Sequence, residues 1–352
     1  MPVPWRFAAR GPIQGAVRVV FAGSKHFLAA LPSIRAALQA HGYGPETAEL
    51  VQVSMANIHQ EIPTAHLAIP FMEKLDGPLL RAAPELRSIV QFGTGLEGVD
   101  RETATKLGIT VSNMPADSCG NAEGTAELAV YLAVALLKHP AHMQRVFESG
   151  TLGGVNLVRQ LKGQRVTVVG FGAVGRVLCN ALMALGAEVR AVRRTWSEDD
   201  PVAAQLADKA SSIDEFRTRL APTTDVLIAA CPLTPETRGL VDAALVAALP
   251  PRACVINIGR GPLVDHGAVL AALDSGKLAG FATDVGVGHP EKPSEPWSAE
   301  DALARHPNAI FTPHVGGATE TSYGKMAELA VKCIEAVRGG RAPDTWQNKA
   351  AL

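Results

Sequence analysis

Short apolar runs alternate with stretches of helical period along most of the chain. "VRVVFAG" (17–23) is a near-continuous apolar run, the pattern of a strand buried on both faces, and 25–41 carries a helical pattern. "AELVQV" (48–53), "AHLAIP" (65–70) and "LRSIVQF" (86–92) predict further strands. A second series begins near residue 165. There "RVTVVG" predicts a strand, "AVGRVLCNALMALG" a helix closing at Gly186, and "EVRAVRR" the next strand. "TDVLIAAC" (224–231), "ACVINIG" (253–259), "LAGFATDV" (278–285) and "NAIFTPH" (308–314) follow, each after a helical segment. Strands that alternate with helices imply parallel sheets covered on both faces. Two such series predict two doubly wound α/β domains, with the long apolar helix of 123–140 near their boundary. The segment after 317, "ATETSYGKMAELAVKCIEAVRGG", reads as helix and brings no strand, so it must pack on a body already built.

Composition narrows the class. A length of 352 residues exceeds one ordinary core and agrees with two domains. The formal net charge of -1 gives no electrostatic case for nucleic acid or for an acidic membrane surface. Cys119, Cys179, Cys231, Cys254 and Cys333 are scattered and form no C-x-x-C pair. Neither a zinc site nor a disulfide framework is expected, and an odd number of thiols fits a reducing cytoplasm. The N-terminal stretch has no apolar core of the secretory type. The longest apolar helical run, "LAVYLAVALL" (128–137), is about half the length that spans a bilayer, and it reads as a buried helix.

"VTVVGFGAVGRV" places Gly170, Gly172 and Gly175 in a G-x-G-x-x-G pattern between a strand and a helix. The first glycine permits the tight turn, the second admits a pyrophosphate to the backbone, and the third lets helix and strand pack closely. The free amides of the helix start then face the phosphates. A strand before the loop, a helix after it and a second strand ending at the ribose position are the context that makes this a dinucleotide site.

That ribose position is Arg193, in "AVRRTW" (191–196). An acid there would bond the ribose hydroxyls of NAD and repel the 2′-phosphate of NADP. An arginine can pair with that phosphate. Arg193 and Arg194, with Thr195 beyond, therefore point to NADP(H) as the preferred cofactor, with NAD(H) possible. The competing reading is a solvated basic turn with no gain for NADP.

Several further stretches complete a recognisable series. "CPLTPETRGLVD" (231–242), "VINIGRGPLVD" (255–265), "ATDVGVGHPEKPSEP" (282–296) and "FTPHVGGAT" (311–319) follow the glycine loop in order. "IVQFGTGLEGVD" (89–100), "GITVSNMP" and "GNAEGTAELA" precede it. Together they resemble the D-isomer-specific 2-hydroxyacid dehydrogenase family over nearly the whole chain. The resemblance implies a Rossmann cofactor domain inserted in a flavodoxin-like substrate domain. Its division would be residues 1–122, then 123–316 for the cofactor domain, then 317–352 as the helix returning to the substrate domain. It also implies an active site in the cleft between domains, no metal, and a homodimer through the cofactor domain and crossover helix.

The resemblance assigns roles residue by residue. Arg260, in "NIGRG", would hold the substrate's carboxylate and carbonyl oxygen in its planar fork. His314, in "TPHVGG", would be the acid/base, since imidazole titrates near neutral pH. Most relatives pair that histidine with a glutamate five residues after the aspartate of "A-x-D-V". Counting from Asp284, this chain has His289 there, and the glutamate is absent. His289 is taken as the partner and a shifted pH optimum is expected, with Glu291 as the alternative. Thr94 and Gly95 would offer amides to the carboxylate. Ala173 and Val174 would cover the pyrophosphate. Cys231, Pro232 and Thr237 would line the adenosine and nicotinamide-ribose side, and Ile258 is taken as a further cofactor-binding residue. Asp284 would sit near the nicotinamide amide, and Gly316 and Gly317 would let the backbone approach the cofactor. Asp117, Ser118 and Cys119 form a short insertion that either reshapes the cleft or is neutral.

The expected activity is therefore hydride transfer between a nicotinamide and a small 2-oxoacid or D-2-hydroxyacid, with reduction of glyoxylate or hydroxypyruvate in first place. Phosphoglycerate oxidation is the rival on the same fold. A nucleotide-sensing protein with little turnover is the rival of another class, and retention of Arg260 and His314 argues against it.

Overall fold

The computed structural model describes residues 5–6, 10–23, 28–70, 73–153, 157–286 and 301–348. The chain divides into two compact units, residues 1–120 with 318–352, and residues 121–317.

The first unit is a five-stranded sheet in the order β2-β1-β3-β4-β5, parallel throughout. Its strands are β1 (Val17–Ala22), β2 (Ala48–Val53), β3 (Leu67–Pro70), β4 (Ser88–Val90) and β5 (Thr110–Ser112). Successive side chains of a strand point to opposite faces, and β1 shows the result. Val17, Val19 and Phe21 join one apolar layer with Leu67, Ile69 and the helix Ala30–Ala40. Val20 and Ala22 join the other, with Ala68, Ile89, Val111, Ile58 and Leu80.

The tail helix, Glu320–Arg338, completes the first of these layers. Met326, Val331, Ile334 and Val337 are buried in it at helical spacing. A reciprocal cap between Thr319 and Ser322 starts the helix. Beyond it, Trp346 bridges Ser112 in antiparallel fashion and the Gln347 amide donates to the Val111 carbonyl. The tail thus covers the open edge of β5.

The second unit is a seven-stranded sheet, again all parallel, in the order β12-β11-β10-β9-β6-β7-β8. The strands are β6 (Arg165–Val169), β7 (Glu188–Val192), β8 (Asp208–Ala210), β9 (Val226–Ala229), β10 (Ala253–Asn257), β11 (Leu278–Thr283) and β12 (Ala309–Phe311). The chain leaves β6 toward β7 and β8, then returns to the other side of β6 to build β9 onward. That reversal creates a switch point between β6 and β9, where doubly wound sheets take their ligands. Helices Asn121–Lys138 and Ala173–Ala184 cover one face, over Val166, Val168, Val189, Ile228 and Ile256. The apolar run 128–137 lies within the first of these helices, with Leu132, Leu136 and Leu137 buried. Among the described residues no helix is long and apolar enough to cross a membrane.

Two strands escape the hydrophobic pattern. β8 reads "DKA" with one buried position, and β5 reads "TVS" with two hydroxyls, so neither shows an apolar run. Both are placed by their parallel neighbours, β7 and β4.

Candidate active site

Because the second sheet is wholly parallel, every strand delivers its next residues to one edge. Read across that edge, His314 follows β12, Asp284 follows β11, Arg260 follows β10, Cys231 follows β9, Gly170 follows β6 and Arg193 follows β7. Neighbouring strands lie about 4.8 Å apart, so the row spans about 24 Å. The topology collects residues that are far apart in sequence into one line.

At the switch point the three loop glycines have distinct reasons to be glycine. Gly170 has φ 112°, and a Cβ there would lie 2.7 Å from the backbone of Ala230 and Cys231. A Cβ on Gly175 would fall 1.9 Å from the Gly170 carbonyl oxygen, so this glycine sets the helix against the strand. Gly172 is different. It is the N-cap of helix Ala173–Ala184, no side chain caps it, and a Cβ there would point into open space. Its bareness serves an approach from outside, and with the first-turn amides it makes a cradle that fits a pyrophosphate. Ala173 and Val174, half-buried, form that first turn.

Arg193 and Arg194 are exposed at the end of β7. Trp196 fixes the turn behind them. Its ring packs 5.2 Å from that of Phe171 in the glycine loop, its Nε1–H donates to the Ala210 carbonyl, and Lys209 stands 5.6 Å from its ring centre. The charge of Arg194 also reaches the loop after β9, where it helps hold the Glu236 carboxyl below its usual range, behind hydrogen bonds from Thr234 and the backbone.

Across the switch point, burial pushes the Cys231 thiol up to about 11, so it is a packing group rather than a nucleophile. Pro232 is exposed, and Ile258 is buried in the core with its amide donating to Ala229. The Thr237 hydroxyl donates to the Pro232 carbonyl at 2.7 Å and accepts from the Thr234 amide at 2.8 Å. It therefore shapes the loop from within.

Arg260 sits on the turn after β10, half-buried, with its Nη1 donating to the Gly259 carbonyl at 2.7 Å. Asn257, fully buried, holds that turn from both sides. Its Nδ2 donates to the Arg260 carbonyl and its Oδ1 accepts from the Gly259 amide. Gly259 is required because a Cβ would meet the Cys231 carbonyl at 2.7 Å. The asparagine of "N-x-x-R-G" is thus a working part of the motif that side-chain chemistry alone does not reveal.

His314 has φ 57°, in the left-handed region that a non-glycine residue seldom adopts. Asp284, 2% exposed, holds this turn. Its Oδ1 accepts from the Thr312 hydroxyl at 2.7 Å and the Val315 amide at 2.9 Å, and its Oδ2 accepts from the Gly316 amide at 2.9 Å. Gly316 and Gly317 face protein too. A Cβ on Gly316 would meet Asp284, Leu128 and Thr125, and one on Gly317 would meet the Asn121 amide at 1.9 Å. Packing of the turn on the crossover helix accounts for both glycines without an approach by cofactor.

Thr94 and Gly95 belong to the first unit, on the loop after β4. The Thr94 carbonyl accepts from Asn113 at 2.8 Å, tying this loop to the one after β5. His289 and Glu291 lie outside the described residues.

The comparisons with known proteins agree with this layout. A family model described as D-isomer specific 2-hydroxyacid dehydrogenase, NAD binding domain, matches residues 130–316. Glyoxylate/hydroxypyruvate reductase A of Arabidopsis thaliana is 32% identical over 269 residues, which cover 76% of this chain and 80% of that protein. The glyoxylate reductase of Thermococcus litoralis is 31% identical over 290 residues, 80% of this chain and 82% of its own. Among solved structures, the NADPH-dependent glyoxylate/hydroxypyruvate reductase of Sinorhizobium meliloti, in complex with NADP and malonate, superposes with a TM-score of 0.73 at 27% identity, covering 91% of this chain and 92% of that one.

Proposed function

Since the chain belongs to the D-isomer specific 2-hydroxyacid dehydrogenase family, we propose that it reduces a small 2-oxoacid, glyoxylate or hydroxypyruvate, with NADPH. The observation that carries the reaction class is the row of loops on one sheet edge, with a held arginine turn after β10 and a pinned left-handed histidine turn after β12. The nicotinamide, when bound, supplies the hydride. Arg260 anchors the carboxylate and draws on the carbonyl oxygen. His314 gives that oxygen its proton in reduction and removes it in oxidation. Thr94 and Gly95 give amides to the carboxylate. Asn257 and Asp284 fix the two turns on which the reacting side chains stand.

The exposed pair Arg193 and Arg194, at the place where an acid would exclude a 2′-phosphate, supports NADPH over NADH. The test is initial rate with each cofactor at equal, subsaturating concentration, across glyoxylate, hydroxypyruvate and pyruvate. NADPH is expected to be faster. The double change Arg193→Ser and Arg194→Ser should lower kcat/KM for NADPH by about 10- to 100-fold, the value of one or two charge-assisted hydrogen bonds, and leave NADH nearly unchanged. Faster turnover with NADH by the unaltered protein would retire the arginine argument and keep the enzyme. Cofactor binding without turnover would return the sensor reading.

A homodimer is the proposed assembly. Tyr131, Met143, Phe147, Leu152, Leu157 and Val158 leave large apolar surface exposed within one short stretch of chain, 58, 47, 78, 99, 91 and 43% respectively. Exposed apolar surface concentrated in this way marks an interface.

A further inference from the structure

The end of β7 meets a third cation, on the next strand. Lys209 of β8 is in register with Ala191 of β7. Successive side chains of a strand alternate between faces, so Arg193, two residues past Ala191, falls on the same face as Lys209. The ladder reaches that far, because the Arg193 amide donates to the Ala210 carbonyl at 3.0 Å. Two residues along one strand and one strand across put the two Cα atoms about 8 Å apart. Both side chains are long enough to meet on a group between them.

Lys209 is held in place, and its charge is not spent on a carboxylate. Its Nζ stands 5.6 Å from the ring centre of Trp196, the geometry of a cation over an aromatic face. That ring is itself anchored, with Nε1–H donating at 3.3 Å to the same Ala210 carbonyl that accepts from Arg193. Although β8 is an edge strand, Arg219 fixes it through Nη2, which donates to the Lys209 carbonyl. The carboxylates on either side are committed elsewhere, Asp208 to Arg219 and Asp200 to Arg176. Among the described residues no carboxylate forms an ion pair with Arg193, Arg194 or Lys209. Two like charges on one face repel, and an anion placed between them turns that repulsion into attraction.

We propose that Lys209 is a further determinant of cofactor choice: its ammonium, set by the Trp196 ring, and the Arg193 guanidinium hold the 2′-phosphate of NADPH between them. The proposal rests on the reading above that the loop after β7 receives this phosphate. It adds a residue from a strand that no spacing from the glycine loop marks.

Titration calorimetry of the intact protein with NADP+ and with NAD+, at constant ionic strength, tests it. Lys209→Gln is expected to weaken NADP+ about 5- to 20-fold, the loss of one exposed charge-assisted contact, and to move NAD+ less than twofold. Lys209→Arg should keep most of the NADP+ affinity. Lys209 is exposed, and melting curves establish that the variants are folded. The Arg193→Ser, Arg194→Ser protein separates the proposal from the reading beneath it. If the arginine changes weaken NADP+ and Lys209→Gln does not, the proposal is overturned and the reading stands. If Lys209→Gln alone weakens NADP+ selectively, Lys209 is upheld and the arginines fail. If neither weakens it, or the parent does not bind NADP+, both are overturned. Equal weakening of NADP+ and NAD+ by Lys209→Gln assigns the effect to the loop as a whole and also overturns the proposal.

Discussion

Three hydrogen bonds from the 312–316 turn end on the two oxygens of Asp284, and they hold His314 at φ 57°. Holding a histidine there costs about 1–3 kcal/mol of backbone strain, which the clamp offsets. Asp284→Asn puts an amide donor where one of these oxygens accepts, setting donor against donor. The expected result is a 10- to 100-fold fall in kcat, from a loss of about 1–3 kcal/mol at the turn. Steady-state kcat and KM for the 2-oxoacid check it, and a kcat within twofold of the parent would count against the clamp. His289, where the family resemblance leads one to expect a glutamate, governs a second expectation. His289→Glu should move the pH–rate profile toward the alkaline side, because a carboxylate favours the protonated imidazole. A profile that does not move excludes His289 as the partner of His314. At this scale the sequence is legible where side-chain chemistry is unusual, as with Arg260 and His314 in their motifs. It is silent on Asn257, and it marks Asp284 and Thr237 by motif without showing that they serve the backbone. All three act through amides and carbonyls brought near by the fold, and no spacing rule reveals which of these will be there.

The strands of the second sheet are fastened at their starts as well as lined up at their ends. Asp225, just before β9, accepts from the Arg165 amide at 3.0 Å and from the Arg165 guanidinium, and so joins β6 to β9 across the switch point. Burial alone would raise the Asp225 carboxyl. The Arg165 side chain, its amide and its charge outweigh that and leave the pKa below the ordinary value. A carboxyl depressed in the folded state adds stability above its unfolded pKa, near 3.9, and loses it as pH falls through the folded value. Asp225→Asn is therefore expected to lower the melting temperature at pH 7, with the difference beginning to shrink at about pH 4 and closing only as pH falls through the depressed folded-state pKa. Melting curves across that range check the sign, and a difference that persists into acid would assign the effect to packing. Element by element, the long apolar strands and the crossover helix are readable because their burial is continuous. β5 and β8, three residues each, become strands only because a parallel neighbour offers a ladder.

For the whole molecule, the proposed dimer makes a clean demand. Phe147→Asp with Leu157→Asp places two charges in the exposed apolar stretch and should convert a dimer to a monomer in sedimentation velocity. The same sedimentation in parent and variant would remove this surface from the interface. The two sheets differ in how the chain reaches them. The seven-stranded unit comes from one uninterrupted segment, 121–317, whereas the five-stranded unit needs the helix Glu320–Arg338 to finish its apolar layer. Synthesis on the ribosome runs in the other sense. The strands β1 to β5 emerge first, and Val19, Phe21, Leu67 and Ile69 then wait for a covering helix that is translated only after the entire second unit. The part made first is the part completed last, and during that interval its bare layer is the surface a chaperone would have to guard.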